Sequence, residues 1–592
     1  MPPIPPIVRR SRLPIVARRT AALAALSLAA ATLLVGFAGS PTPAAAADAK
    51  ARDWKAAAAR LDDLIAVRLR AQKDLVVAPR ADDAEFIRRA SLDLIGAIPT
   101  EAETTTFLKD PSPDKRAALV DRLLASSRHA DWFAMWYSNL LVGNQIRDRD
   151  LNRRTFNEWM RDQFARNRPY DDLVYDLLTA TGNSDSNGAV GFVSSFAASA
   201  ADAAGKSSRY FLGVQIQCAQ CHDHPYDKRI KQTDFTAYAS FFFTTTHRRN
   251  QTPGNTEISF DIVSYPAEDF RPAGGGPSGS RRTAGMGMMP RGQPLRLEGQ
   301  VRGAAGRYVE LGEPKFLLGK APKDVPGLDR RTVLAKWMTS KSNEWFAPAY
   351  ANRLWAYFMG RGIVHPIDDF SQSNKPSNPE LLKFLADEFT RNDFDINHLV
   401  RTIVGSEAYQ RTSKMPRDME RPDPSLYAVA PVKPLTVEQS FDSLFRAAGT
   451  EREVERRLEQ GMKADGATAR GRLVDPRMLV YQMFRRAFDD DEGGESEVFS
   501  GTIPRGLLMM NGPQINQMLS AYPGSPLRKI LDTDRSDRER VRRVYLTVLS
   551  RDPSPGELSS ALQHVHTSRT EIEGYEDLMW ALCNTTEFMS NH

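Results

Sequence analysis

The sequence predicts a mainly α-helical protein, with two helical lobes joined by a small β-containing, Gly-rich segment. Apolar residues recur at helical spacing on both sides of that segment, as in Leu173, Val174, Leu177 and Leu178, and in Ile396, Leu399, Val400 and Ile403. Between the helical regions, EISFDIVSYP and RYVELGE have strand-like patterns and flank the low-complexity stretch RPAGGGPSGSRRTAGMGMMPRGQ. The 592-residue chain is 41% hydrophobic, which is enough apolar material for packed cores.

The first 47 residues have the order of a secretory signal peptide. Five arginines and no acidic residue come first, an apolar run follows at 21–38, and the alanines at 45–47 fit a small-residue cleavage site. We therefore expect an exported protein, in the periplasm or cell envelope after cleavage near Ala47. The remainder divides into a helical domain at 48–247, a β-containing, Gly-rich linker or insertion at 248–326, and a second helical domain at 327–592.

Two helix starts are marked by residues that cap them. Thr100 and Glu103 form a capping box, and Asn378 before Pro379 is an N-cap with proline at the first helical position. The first start belongs to an internal echo, because EFIRRASLDLIGAIPTEAE at 85–103 aligns without gaps with ERVRRVYLTVLSRDPSPGE at 539–557. Each copy predicts a helix, a short proline turn and a capped second helix. The echo indicates either a duplicated hairpin or two hairpins that are similar by chance.

Charge and cysteine content limit the partners and the type of scaffold. The formal net charge is +6, and the five arginines of the leader account for all but about one of these charges. This balance does not favour nucleic acid as a partner. Three cysteines are too few for a disulfide scaffold. Cys583 lies in the apolar sequence LMWALCNTTEF, so we expect a buried, inert thiol there.

The clearest chemical signal is FLGVQIQCAQCHDHPYDK, residues 211–228. Cys218, Cys221 and His222 have the C-x-x-C-H spacing of a c-type haem attachment site. Two thiols three residues apart on a helical turn reach both vinyl groups of one haem, and the adjacent histidine then faces the iron as axial ligand. Export fits this interpretation, because c-type haem is attached outside the cytoplasm. Haem c is therefore the leading hypothesis for a cofactor.

Other chemistries remain open for this segment. His224 and Asp227 lie close to the motif, so three of these five side chains could hold zinc or iron. Cys218 and Cys221 could instead form a disulfide or a thiol couple, with no cofactor at all.

A haem would also need an apolar pocket and a sixth ligand. Four aromatic residues fall on one face of a predicted helix and either line such a pocket or belong to the ordinary core, namely Phe235, Tyr238, Phe241 and Phe242. The candidate sixth ligands are His247 and three methionines of the Gly-rich stretch, Met286, Met288 and Met289.

A second polar cluster follows a helix that we expect to end at Gly360 or Gly362. It consists of His365, Asp368 and Asp369. A histidine beside paired carboxylates is suited to binding a metal or to acid–base chemistry. The alternative is that Arg353 and Arg361 pair with the carboxylates in a structural role.

Two long parts of the chain resemble a known family. FIRRASLDLIGAIPTEAETTTFLKDPSPDKRAALVDRLLAS, RYFLGVQIQCAQCHDHPYDK and DFTAYASFF resemble the first of two planctomycete cytochrome-associated domains of unknown function. The second domain is similar to three further segments of the chain, RRTVLAKWMTSKSNEWFAPAYANRLWAYFMGRGIVHPIDDFSQSNKPSNPELLKFLADEF, GLLMMNGPQ and LMWALCNTTEFMSNH. Because the family is associated with cytochromes, the resemblance implies a role in electron transfer. It supplies no catalytic residues.

Three functions are consistent with these observations. The leading one is an exported electron-transfer or redox-linked envelope protein with one haem c on Cys218 and Cys221 and His222 as axial ligand, whose partners are other envelope redox or exported proteins. The alternative is a structural, interaction or enzyme-accessory protein whose cysteines form a disulfide or a metal clip. The third is a metal-dependent hydrolase that uses His222, His224 and Asp227. Neither catalytic activity nor oligomeric state follows from the sequence.

Overall fold

The structure is a computed structural model. It describes residues 43–143, 151–196, 199–250, 259–265, 300–302, 308–310, 313–322, 329–416, 419–450, 481, 484–485 and 503–592. Residues 1–42 of the predicted leader and the whole Gly-rich stretch, with Met286, Met288 and Met289, lie outside this part of the chain. The described residues divide into two units at residue 53. Apart from the start of the first helix, the features below belong to the second unit, which begins at residue 54.

The described chain is mainly helical, which confirms the predicted fold class. Its first helices are α1 Pro43–Arg70, α2 Asp83–Ile95, α3 Glu101–Lys109, α4 Lys115–Leu124, α5 Ser127–Val142, α6 Arg153–Ala165, α7 Tyr170–Thr179, α8 Gly191–Ser194, α9 Ala200–Ser207 and α10 Gln232–Ala239. The later helices are α11 Arg330–Met338, α12 Phe346–Met359, α13 Pro379–Arg391, α14 Ile396–Val404, α15 Glu407–Gln410, α16 Val437–Ala448, α17 Ile503–Asn511, α18 Pro513–Leu519, α19 Pro526–Thr533, α20 Asp537–Leu549, α21 Pro555–Thr567 and α22 Glu571–Cys583. None of the described helices is both long enough and apolar enough to cross a bilayer.

The strands are short and antiparallel. They are β1 Gly182–Asn183, β2 Thr245–Asn250, β3 Ser259–Ser264, β4 Gln300–Arg302, β5 Tyr308–Glu310, β6 Lys433–Pro434 and β7 Ser590–Asn591. The first three form a sheet in the order β1-β3-β2, while β4 pairs with β5 and β6 pairs with β7. The strands expected from EISFDIVSYP and RYVELGE are therefore present as β3 and β5.

The predicted helix starts have the expected caps. The Thr100 hydroxyl accepts a hydrogen bond from the Glu103 N–H while the Glu103 carboxylate accepts from the Thr100 N–H, which completes the capping box. The Asn378 side chain accepts from the Leu381 N–H, and Pro379 is the first residue of α13. These contacts satisfy N–H groups that a helix leaves unpaired in its first turn.

Buried apolar side chains form two clusters. The first contains residues between Leu61 and Ala428, and so draws on both predicted helical domains. The second contains residues between Leu435 and Phe588, joined by Leu92 and Ile98. The division between the clusters thus falls near residue 430 in the sequence, outside the predicted linker at 248–326.

Both copies of the internal echo fold as the same local hairpin. Helix α2 ends at Gly96 with φ of 70°, and α20 ends at the equivalent Ser550 with φ of 60°. Each left-handed residue is followed by a short turn and a capping box, with Ser554 in the place of Thr100. The two hairpins also contact each other, because Arg543 of α20 pairs with Glu101 of α3.

We predict that Gly96→Ser destabilises the protein by about 3 kcal/mol. A side chain at this position would overlap the Trp132 indole and would adopt a positive φ. Ser550→Gly is the matched control in the second hairpin. We expect it to raise stability by about 1 kcal/mol, because it relieves a left-handed serine whose buried hydroxyl has no hydrogen-bond partner among the described residues. Denaturant unfolding measures both values, and equal effects would contradict this account.

Candidate functional site

Cys218 lies in a short 3₁₀ helix, Gln217–Gln220, and Cys221 directly follows it, so both cysteines belong to one exposed turn. Residues three apart share a face in a 3₁₀ helix. Ile216 and Ala219 are fully buried, whereas Cys218 and Cys221 are exposed. The sequence of this turn therefore anchors one face in the core and presents both thiols to solvent, and both are free thiols in the structure.

The turn is held by the elements on either side of it. Gly205 of α9 allows the closest approach, since a Cβ there would lie 2.5 Å from Cγ of Gln217. A π-helical turn, Ser208–Leu212, follows α9 and ends at Gly213 with φ of 69°. The Ser208 hydroxyl donates to the Val214 carbonyl at 2.7 Å, which fixes the chain as it enters the motif. These contacts hold the turn that carries the two thiols.

His222 is exposed, and its hydrogen bond leaves one ring nitrogen available. Nδ1 lies 2.7 Å from the carbonyl oxygen of Asp223. Because a carbonyl oxygen only accepts, this contact assigns the proton to Nδ1 and leaves the lone pair of Nε2 for coordination. Metal-bound histidines in proteins commonly have their second ring nitrogen fixed in this way.

His224 has the opposite arrangement. The backbone N–H of Asp227 donates to its Nδ1 at 2.9 Å, and that of Tyr226 does so at 3.3 Å. The proton of the neutral ring is therefore on Nε2. His224 is 6% exposed, and its backbone N–H donates to the Ile230 carbonyl at 3.0 Å. These contacts give His224 a structural role in closing the 222–230 loop.

Asp227 also makes contacts within this loop. Its carboxylate accepts from Nε of Arg229 at 2.9 Å and from Nη2 at 2.6 Å, and from the Arg229 N–H at 3.1 Å. The Arg229 guanidinium holds the pKa of Asp227 below its usual range. Within the described residues, no group of three or more His, Cys, Asp or Glu side chains is arranged to hold a metal ion.

The second polar cluster packs against the first. Asp368 is 2% exposed and pairs with Arg353 of α12 and, at 3.0 Å, with Arg209 of the π-helical turn. Asp369 forms a β-bridge with Val214. The structure therefore brings together two predicted sites that lie about 150 residues apart in the sequence.

The three residues of this second cluster differ in their contacts. Asp368 forms the structural ion pair with Arg353 that was one of the two expectations. The Asp369 carboxylate accepts from the Ser371 N–H at 3.3 Å. His365 is half-buried and precedes Pro366. The cluster supports the segment that leads into the motif, since the Phe370 N–H also donates to the Gly213 carbonyl at 3.0 Å.

The aromatic residues considered for a haem pocket belong to the core. Four of them are at most 2% exposed and are members of the first apolar cluster, namely Phe235, Tyr238, Phe241 and Phe242. Phe241 stacks on Phe316 with ring centroids 5.4 Å apart. His247 lies in β2, where its ring stacks on Phe260 at 5.1 Å. These side chains therefore serve packing.

The donor set of the motif fits haem c, whereas the four aromatic residues considered for a haem pocket pack in the core and do not form one. Two exposed thiols share one face of a turn, and His222 follows with Nε2 available. The cavities described near α16 and near α13, of about 520 and 770 Å³, are lined by other residues. A haem held here would therefore attach at the protein surface.

Comparisons with known proteins place the chain in a family. Its residues 60–247 match the family described as "PSCyt2: Protein of unknown function (DUF1549)". Residues 330–565 match that described as "PSD1: Protein of unknown function (DUF1553)". No curated protein and no solved structure matches significantly. The motif turn lies in the first matched region and the Asp368 segment in the second, and together the regions cover more than half of the chain. The protein belongs to the two-domain family of unknown function that combines DUF1549 and DUF1553.

Proposed function

We propose that this protein is an exported electron-transfer protein that carries one c-type haem on Cys218 and Cys221, with His222 as axial ligand. The observation that carries the proposal is the arrangement of the C-x-x-C-H turn. It presents two free thiols on one exposed face, followed by an exposed imidazole whose proton is fixed on Nδ1. A bound haem supplies one-electron transfer.

The chemistry required of the chain is simple. Each thiol would add across one vinyl group, so that its sulfur forms a carbon–sulfur bond and its hydrogen goes to the other vinyl carbon. The S–H bond of the cysteine and the π bond of the vinyl group would break, and the addition would need no oxidant. The exposure of both thiols gives the attachment machinery access to them. The predicted leader supports the proposal, because it would deliver the chain to the compartment where haem c is attached.

A second candidate function rests on the same exposed thiols. Cys218 and Cys221 on one face of a turn are also suited to a reversible disulfide or to holding one soft metal ion between them. The protein would then be a structural, interaction or enzyme-accessory protein. We do not propose the metal-dependent hydrolase, because Nδ1 of His224 and both oxygens of Asp227 already accept hydrogen bonds within the loop.

The test is expression with a signal peptide in a host that attaches haem c. We expect a pyridine haemochrome spectrum of the c type and an intact mass that exceeds the chain mass by one haem. Cys218→Ala and Cys221→Ala should each prevent the two-thioether product, and His222→Ala should keep the mass increment while it alters the absorption spectrum.

Cys583→Ala is the matched control. Cys583 is fully buried, and burial raises the pKa of its thiol well above the usual range, so this variant should keep the haem. A purified chain with no visible absorption and no mass increment would exclude the haem proposal. If its mass were also two hydrogens lower and its thiols resisted alkylation, the result would favour the disulfide instead.

A further inference from the structure

A cavity of about 520 Å³ lies where the two hairpins of the internal echo meet α16 and α19. Its walls include Pro99 to Ala102 from the first hairpin and Arg543 and Thr547 from the second. The remaining walls come from the end of α16 and from the segment that leads into α19. No residue of the proposed haem site lines this cavity.

Three cationic side chains line the cavity, namely Arg446, Lys529 and Arg543, against the single carboxylate of Glu101. Arg543 is held in place by Glu101, through Nε at 3.0 Å and Nη2 at 2.9 Å, and by Asp534 through Nη1 at 2.5 Å. A guanidinium has five N–H groups. The described contacts of Arg543 use three of them, so two remain for a ligand.

Arg446 is held by different contacts. Its side chain is 8% exposed, its Nη1 donates to the Ile98 carbonyl at 2.7 Å, and its Nη2 lies 3.5 Å from the Glu103 carboxylate. Both arginines are therefore fixed before any ligand arrives. A preorganised guanidinium binds an oxyanion without losing further side-chain freedom.

Lys529 is the cation of the cavity that makes no ion pair with any residue in the described part of the chain. It is exposed on α19. Glu101, Glu103 and Asp534 contact the two arginines and not the Lys529 ammonium, so this ammonium can pair with the charged group of a ligand. The first turns of α3 and α19 also face this space, which adds to the positive potential.

Part of the remaining wall of the cavity is apolar. This part is formed by the rings of Tyr522 and of three prolines, Pro99, Pro523 and Pro526. An anionic group alone would leave these rings uncovered. The lining thus matches a ligand with one charged end and one apolar part.

We infer that this cavity binds a small organic oxyanion, in which a carboxylate or phosphate group contacts Lys529, Arg543 and Arg446 and an apolar part covers the proline and tyrosine rings. The binding is independent of haem attachment.

Calorimetric titration of the full mature chain with benzoate and with phenyl phosphate tests this inference. Benzyl alcohol is the neutral control. We expect saturable binding of at least one anion at millimolar concentration or below, a rise in thermal unfolding temperature with that anion, and no response to the alcohol. The comparison of the two anions shows whether the site prefers a carboxylate or a phosphate.

Variants at two exposed lysines show where the anion binds. Lys529→Glu should weaken binding about tenfold, because it replaces a charge-assisted contact by repulsion, and Lys529→Met should weaken it less. Lys336→Glu, on α11 and outside the cavity, should leave binding unchanged. The inference fails if neither anion binds, if the alcohol binds equally well, or if Lys529→Glu binds as tightly as the unmodified chain.

Discussion

Replacing Asp93 with alanine is expected to lower the free energy of unfolding by about 4 kcal/mol. Asp93 is 1% exposed and accepts hydrogen bonds from three side chains that are distant in the sequence. Lys433 Nζ donates to Oδ1 at 2.7 Å, Asn591 Nδ2 donates to the same oxygen at 2.7 Å, and the Tyr409 hydroxyl donates to Oδ2 at 2.8 Å. The substitution would leave the buried donors of Tyr409 and Asn591 and the partly buried ammonium of Lys433 without this acceptor.

The ammonium of Lys433 accounts for most of the expected loss. Its side chain is 20% exposed, and its other contacts are the carbonyls of Tyr357 and Phe358, which carry no full charge. Removing one partner of a buried pair leaves the other charge uncompensated, which costs more than the pair contributes. Burial, together with the charge of Asp93, raises the pKa of Tyr409, so its hydroxyl stays protonated as a donor.

A double-mutant cycle separates the pair from the rest of the network. Lys433→Met combined with Asp93→Ala should be less destabilising than the sum of the single changes by about 2 kcal/mol. Asp83→Ala is the matched control on the same helix. Asp83 pairs with Lys115 and Arg116 near the surface, and we expect a loss of about 1 kcal/mol or less. Additive effects at positions 93 and 433 would show that the pair is not coupled.

Features that depend on neighbouring residues could be predicted from the sequence. The cap at Thr100 and the proline start at Pro379 are local arrangements, because the groups involved lie within three residues of each other. The same holds for the face that includes Leu173 and Leu177, whose burial follows from helical spacing. The echo predicted a helix, a turn and a capped second helix in each copy, and the structure adds the left-handed residues Gly96 and Ser550.

Features that depend on the tertiary fold could not be predicted in this way. Nothing in the sequence indicates that Asp368 meets Arg209, or that Asp93 meets Asn591, because these pairs are joined only by the packing between them. The sequence also does not show how the rings of His222 and His224 are hydrogen-bonded. Their roles differ because Nδ1 of His222 faces a carbonyl oxygen, whereas Nδ1 of His224 faces two backbone N–H groups.

The aromatic residues near the motif show how one pattern permits two structures. An apolar helix face such as that of Phe235 and Tyr238 has the same spacing whether it covers a cofactor or a neighbouring helix. The structure packs these rings in the core, with the Tyr238 hydroxyl 3.3 Å from the Ser207 hydroxyl. The hydroxyl contact depends on the position of α9, which the residue spacing does not specify.

The equivalent arginines of the two hairpins have different environments, and this difference leads to the last prediction. Arg88 is 1% exposed, and its Nη1 donates to the Val548 carbonyl at 3.1 Å. Its Nη2 donates to the carbonyls of Glu587 at 3.2 Å and Phe588 at 3.0 Å. Arg88 thus donates to the Val548 carbonyl in the last turn of α20, where a helix leaves carbonyls unpaired, and to two carbonyls near the C-terminus. Burial lowers the pKa of Arg88 to about 10, so it remains charged at neutral pH.

Arg88→Met should lower the free energy of unfolding by about 3 kcal/mol, because methionine fills similar space but removes a charged donor from three carbonyls, of which, within the described residues, only that of Glu587 also accepts from Ser590. Arg542→Met is the control at the equivalent position of the second hairpin. Arg542 is 34% exposed and pairs with Glu539 and Asp552 at the surface, so its loss should cost no more than about 1 kcal/mol. Denaturant unfolding of both variants gives the comparison. Equal losses in the free energy of unfolding would show that the contacts of Arg88 with the carbonyls near the C-terminus add no stability beyond that of a surface ion pair.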